Sequence, residues 1–96
     1  MPRTEIPLMG AVVSNHTAVV QALLAGGADV NAKDELGGTA LAGAAVLGRT
    51  EVVKILLERG ADLKAKNDVG LTALRAAKLF VHTEVVELLT KAGAKE

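Results

Sequence analysis

The sequence repeats itself at an interval of 33 residues, the distance from Gly27 to Gly60. The tripeptide Gly27-Ala28-Asp29 returns as Gly60-Ala61-Asp62, and Gly93-Ala94 follows one period later. A fixed period of this length indicates stacked units, because each unit is one supersecondary element that buries its apolar side only against a neighbour. We therefore expect one domain over residues 1–96. The units that the period predicts are roughly residues 1–33, 34–66 and 67–96.

Within one unit, the pattern predicts two short helices followed by an extended segment with a turn. Apolar residues recur at helical spacing from Thr39, whose hydroxyl is suited to cap the first turn. A second helix is expected to begin near Thr50 and to stop at Gly60. Asp and Asn favour the first position of a type I turn, and Gly favours the last. The turns predicted on this basis span Asp34–Gly37 and Asn67–Gly70.

One loop position departs from the repeat pattern. Between their two helices, the first and second units have Asn15 and Gly48, whereas the third has Val81. Gly and Asn are the residues that most readily adopt a left-handed backbone, so we expect a positive φ at this position. Val81 should then be strained, unless the first helix of the third unit extends through Phe80 and buries Val81 against the second helix.

The units resemble the ankyrin repeat, whose signature is D-x-x-G-x-T-P-L-H-x-A-A followed by a G-A-D-V-N tail. The matching residues are Gly37, Thr39, Leu41, Ala44, Ala45 and Gly60–Asp62 in the second unit, and Gly70, Thr72, Leu74, Ala77, Gly93 and Ala94 in the third. The signature Pro is present only as Pro7, and the signature His is replaced by Met9, Ala42 and Arg75. The resemblance implies an all-α ankyrin-repeat solenoid, or α-horseshoe, of three stacked helix-turn-helix units with protruding β-turn loops.

Polar residues are expected at the ends of such a stack, where no neighbour covers the apolar surface. The third unit meets this expectation, because Lys78, Thr90 and Lys91 replace Ala45, Leu57 and Glu58 of the second unit. The first unit is less clearly capped. Its residues Val12, Leu23 and Leu24 remain apolar.

Charge and composition exclude several classes of function. Eleven basic residues balance eleven acidic ones, so the chain has no net charge to attract nucleic acid or an anionic membrane surface. Cysteine is absent, which excludes disulfides and thiolate metal sites. No apolar stretch has the length of a signal segment or a membrane-spanning helix, and we expect a cytoplasmic protein.

Catalytic and metal-binding patterns are also missing. His16 and His82 lie two periods apart, so a stack places them in equivalent loops of different layers. Carboxylates such as Glu51 and Glu84 recur at the repeat period, which favours roles at helix ends over a converging catalytic pair. The Gly pairs belong to no phosphate-binding loop motif. We expect no enzymatic activity, no cofactor and no metal.

The resemblance to ankyrin repeats implies a protein-binding surface formed by the turn tips and the inner face of each first helix. Phe80, the sole aromatic residue, is the best anchor for a partner. An alternative is that Val46, Leu47, Leu79 and Phe80 pack between neighbouring units. The predicted protein-binding residues are Lys33, Glu35, Leu36, Val46, Leu47, Lys66, Asp68, Val69, Leu71, Leu79 and Phe80.

The function predicted from this surface is that of a protein–protein interaction module with one protein partner of unknown identity. One alternative is a self-associating scaffold whose groove holds another copy, and a second is an engineered, consensus-like repeat scaffold. We expect a monomer that binds neither nucleic acid nor membrane, with a homodimer as the open alternative.

Overall fold

A computed structural model describes residues 5–95, with side chains described from Pro7 onward. Within these residues the chain forms six α-helices and no β-strand. The helices are α1 (Glu5–Val13), α2 (Thr17–Ala25), α3 (Ala40–Leu47), α4 (Thr50–Glu58), α5 (Ala73–Leu79) and α6 (Thr83–Lys91). Each pair of consecutive helices is one unit, and the predicted all-α stack of three helix-turn-helix units is confirmed.

The first helices of the three units pack side by side, as α1, α3 and α5, and the second helices form a parallel layer of α2, α4 and α6. One apolar core runs through all three units. Its largest side chains recur at the repeat period, with Leu8 and Leu41 in the first layer and Leu56 and Leu89 in the second. Helices of seven to nine residues are too short to persist alone in water, so their stability comes from this packing.

The first helices of the second and third units begin at threonine caps, at the predicted Thr39 and at its repeat equivalent Thr72. The Ala42 backbone N–H donates to Thr39 Oγ1 at 3.3 Å, and the Arg75 N–H donates to Thr72 Oγ1 at the same distance. Each bond satisfies one of the amides that a helix start leaves without an internal partner. Both threonines are buried. Losing either cap hydrogen bond would therefore leave a polar group without a partner and away from water.

The loop between the two helices of each unit is left-handed at the position predicted. The φ angles are 59° at Asn15, 67° at Gly48 and 58° at Val81. The alternative for the third unit is wrong, because α5 ends at Leu79 and does not extend through Phe80. Val81 is 78% exposed and is not buried against α6. A β-branched residue thus occupies a strained backbone conformation on the surface of the third unit.

The two ends of the stack differ in polarity. Lys78, Thr90 and Lys91 are exposed, as expected for a terminal unit. In the first unit, the apolar residues Val12 and Leu24 are buried in the core, and Leu23 is half-buried against it. The exposed apolar residues of the first unit are others, Val13 and Val19 among them.

Candidate protein-binding face

The turns at Asp34–Gly37 and Asn67–Gly70 hold their backbone with local hydrogen bonds. The Gly37 N–H donates to Asp34 O at 3.1 Å, and the Gly70 N–H donates to Asn67 O at 2.9 Å, which closes both predicted turns. The Asp34 carboxylate also accepts from the N–H groups of Leu36 and Gly38, each at 2.9 Å. Asn67 Oδ1 likewise accepts from the N–H groups of Val69 and Leu71, each at 3.0 Å. The turn tips are therefore braced before any partner arrives.

Both tips present an apolar side chain to solvent. Leu36 is 73% exposed and Val69 is 78% exposed. A backbone hydrogen bond of 3.0 Å from the Asp68 N–H to Leu36 O joins the two turns. The charged residues predicted beside the tips are exposed as well, and these are Lys33, Glu35, Lys66 and Asp68.

A second group of exposed apolar residues lies at the C-terminal ends of the first helices. Leu79 and Phe80 are exposed, Phe80 to 54%. Leu47, which is equivalent to Phe80 in the second unit, is also exposed. Val46 is half-buried and packs against the core, so its side chain is only partly accessible. Leu71 is half-buried. We define the candidate binding face as Leu36, Val69, Leu47, Leu79 and Phe80.

Side chains of the following unit brace the loops at these helix ends. His82 Nε2 lies 2.9 Å from Val46 O, and because a carbonyl only accepts, this nitrogen donates. Arg49, one period earlier, donates from Nη2 to Val13 O at 2.7 Å. The His82 ring also stacks near Phe80, with ring centroids 6.5 Å apart. The loops of the second and third units are therefore each hydrogen-bonded to the first helix of the unit before it. Phe80 lies beside the His82 hydrogen bond.

Comparison with protein families matches residues 5–96 to ankyrin repeats in three copies. The chain belongs to the ankyrin-repeat family. A search of curated protein sequences finds no matching relative. Ankyrin repeats generally act as protein–protein interaction modules, and the family is typically without enzymatic activity. None of the helices in residues 5–95 has the length and apolar character needed to cross a membrane.

The stacked repeats do not bring His16 and His82 together in one site. His82 has the structural hydrogen bond to Val46 O described above, and His16 lies two repeats away at the start of α2. Within the described part of the chain, no three His, Asp or Glu side chains come together as a metal site would require. Among the repeated carboxylates, Asp29 Oδ1 accepts from the Asn31 N–H at 2.9 Å and Asp62 Oδ1 from the Lys64 N–H at 2.8 Å, whereas Glu51 pairs with Lys54.

Two exposed apolar residues near the binding face were not predicted from the sequence. Val13 is more than half exposed at the position equivalent to Val46 and Leu79, and Val81 follows Phe80 directly. The repeat period could have identified Val13, because it aligns this residue with two predicted ones. Val81 was singled out for its backbone, and its exposure adds it to the apolar surface around Phe80.

Proposed function

We propose that this ankyrin-repeat chain recognises a partner protein through the candidate binding face. The observation that carries the proposal is the exposure of five large apolar side chains at turn tips and helix ends, none of which belongs to the buried core. Exposed apolar residues with charged residues beside them are typical of protein interfaces. Lys33, Glu35, Lys66 and Asp68 supply such a rim beside the turn tips.

The backbone that carries these side chains is ordered in advance. Asp34 and Asn67 each accept hydrogen bonds within their own turn, and the Asp68 N–H joins the two turns. Binding to a surface that is already ordered loses less conformational entropy than ordering a loop on contact. A rigid face of this kind favours recognition of a folded or helical protein surface by shape.

Phe80 is the residue on which we expect affinity to depend most. Aromatic side chains are enriched among the few interface residues that dominate binding energy. The Phe80 ring stacks near the His82 ring, with centroids 6.5 Å apart. Leu79 precedes Phe80 at the end of α5, and Leu47 occupies the equivalent position at the end of α3; both are exposed.

The test is capture of cellular proteins by the immobilised chain, quantified by mass spectrometry. A variant with Leu36→Ser, Val69→Ser and Phe80→Ser should keep its helical circular dichroism and lose the captured partner, because all three side chains lie outside the core. The matched control is Val19→Ser, which removes a half-exposed apolar side chain from α2, away from the face. A protein captured equally by all three chains would contradict the proposal.

A further inference from the structure

A cleft lies between the loop of the second ankyrin repeat and that of the third, and we call it the loop cleft. Its volume is about 260 Å³, below the range of about 300 to 1,000 Å³ that is typical of small-molecule sites. A cleft of this size suits a single side chain of a partner protein. The lining residues that bear on its chemistry are Gly48, Thr50, Val81, His82, Thr83 and Glu84.

The lining of the loop cleft offers hydrogen-bond acceptors and one negative charge. Thr50 and Thr83 supply hydroxyl oxygens, and Glu84 supplies a carboxylate. A neutral His82 ring has one N–H, which it donates to Val46 O. Among the residues that line the cleft, Glu84 is then the only one with a formal charge. A basic side chain therefore complements the cleft, whereas an acidic one would be repelled.

The acid equivalent to Glu84 in the second repeat already has a cation beside it. This residue is Glu51, and Lys54 Nζ lies 3.3 Å from its Oε1. One period later the lysine is replaced by Glu87, so α6 has two acids where α4 has an ion pair. The lysine of α6 is Lys91, which lies about 10 Å further along the helix than Glu84.

A second basic residue is also replaced beside the loop cleft. Arg49 and His82 are equivalent, and each hydrogen-bonds a carbonyl of the repeat before it. The third repeat thus holds this contact with a side chain that can be neutral. Attraction to the helix N-terminus accounts for Glu84. It does not account for Glu87, because like charges three residues apart on a helix repel each other.

We propose that the loop cleft binds a basic side chain of the partner protein, next to an apolar residue that contacts Phe80 and Val81. The inference deepens the proposed function and rests on it, because it takes Phe80 as an anchor for that partner. Phe80 and Val81 are both exposed, and Val81 lines the cleft. The aliphatic part of a basic side chain can pack on Val81 while its charged end meets Glu84.

Arginine suits this position better than lysine. Its planar guanidinium stacks on aromatic rings as well as pairing with a carboxylate. The Phe80 and His82 rings already stack on each other beside the cleft, so an aromatic surface and a carboxylate lie close together there. The partner segment that we expect has an arginine with apolar neighbours.

Titration of the isotope-labelled chain with capped tripeptides, followed by NMR, tests this assignment. One probe is leucine-arginine-leucine, and the other has citrulline in place of arginine, which keeps the shape and removes the charge. We expect the arginine peptide to shift the amide signals of Gly48, Thr83 and Glu84. Its Kd should be about two- to fivefold lower than that of the citrulline peptide, as expected for one solvent-exposed ion pair.

In Glu84→Gln the two peptides should bind with equal Kd, because the charge that distinguishes them has lost its partner. Glu87→Lys restores in α6 the pair found in α4, and it should also reduce the preference for arginine. The matched control is Glu51→Gln, which removes the acid that is already paired and should leave the preference unchanged. All three positions are exposed, so the variants should keep their helicity.

The proposal would be overturned if neither peptide bound at millimolar concentration, or if the parent bound both equally. A preference for arginine that persists in Glu84→Gln, or signal changes confined to the turn tips, would overturn it as well. Capture of cellular proteins is measured separately. A captured partner without a preference for the arginine peptide would leave the proposed function standing without the loop cleft, and the opposite result would leave the cleft without the proposed function.

Discussion

Replacing Val81 by Gly should stabilise the ankyrin-repeat domain, because Val81 holds a left-handed backbone with φ of 58°. A non-glycine residue in such a conformation costs about 1 to 3 kcal/mol. Glycine removes that strain but adds conformational freedom to the unfolded chain, which costs about 0.4 to 1 kcal/mol. Since Val81 is 78% exposed, removing its side chain loses only about a fifth of the 1.5 to 3 kcal/mol that full burial would give.

The expected net effect is a gain of about 1 kcal/mol in the free energy of unfolding. For a domain of this size, the midpoint of thermal unfolding should rise by about 4 to 8 °C. Urea unfolding followed by circular dichroism measures the same change independently. Both assays should resolve this change in the free energy of unfolding, because it is a sizeable fraction of the total stability of a small domain.

The matched control is Asn15→Gly, at the equivalent position of the first repeat with φ of 59°. Asn adopts the left-handed region at little cost, so this variant isolates the entropy that glycine adds and should leave stability unchanged or slightly lower. The argument from strain would be refuted if Val81→Gly were no more stable than the parent. The same holds if its free energy of unfolding changed by no more than that of Asn15→Gly.

Two further predictions concern packing, and both are measured as free energies of urea unfolding. Leu56→Ala should cost about 2 to 5 kcal/mol, because Leu56 is fully buried and its removal leaves a cavity; parental stability would show that α4 does not form the core. Gly48→Ala should cost more than Gly70→Ala, because a Cβ at Gly48 would lie 2.6 Å from His82 Nδ1, whereas one at Gly70 meets nothing within 4 Å. Equal costs would mean that His82 moves aside freely.

The features that the sequence predicts well are those decided by nearby residues. Thr39 and Thr72 cap helices through amides three residues away, and Asp34 and Asn67 close turns within four residues. The left-handed loop follows from residue types at one repeated position, and even the substitution to Val81 left its geometry unchanged. Short-range hydrogen bonding and backbone preference are properties of the local sequence.

Contacts between different repeats were not predicted. His82 reaches Val46 O across 36 residues, and Asn31 Oδ1 accepts from the Asp62 N–H at 2.7 Å across 31. The same stacking decides exposure in the candidate site, since Val46 is half-buried whereas its equivalents Val13 and Leu79 are exposed. The repeat period shows that these residues are equivalent, but only the packed structure shows which of them has a neighbour.

The contact between His82 and Gly48 has a consequence for how such an array could grow by duplication of a repeat. The His82 side chain occupies the space that a Cβ at Gly48 would need, so the loop of the second repeat is constrained by the third. Val81 is under no such constraint within residues 5–95, and its side chain points to water. A copy of the third repeat added after it in the same geometry would bring a second histidine onto Val81. A fourth repeat could therefore stack only with glycine at that loop or, as with Asn15 and Arg49, with a residue other than histidine after it.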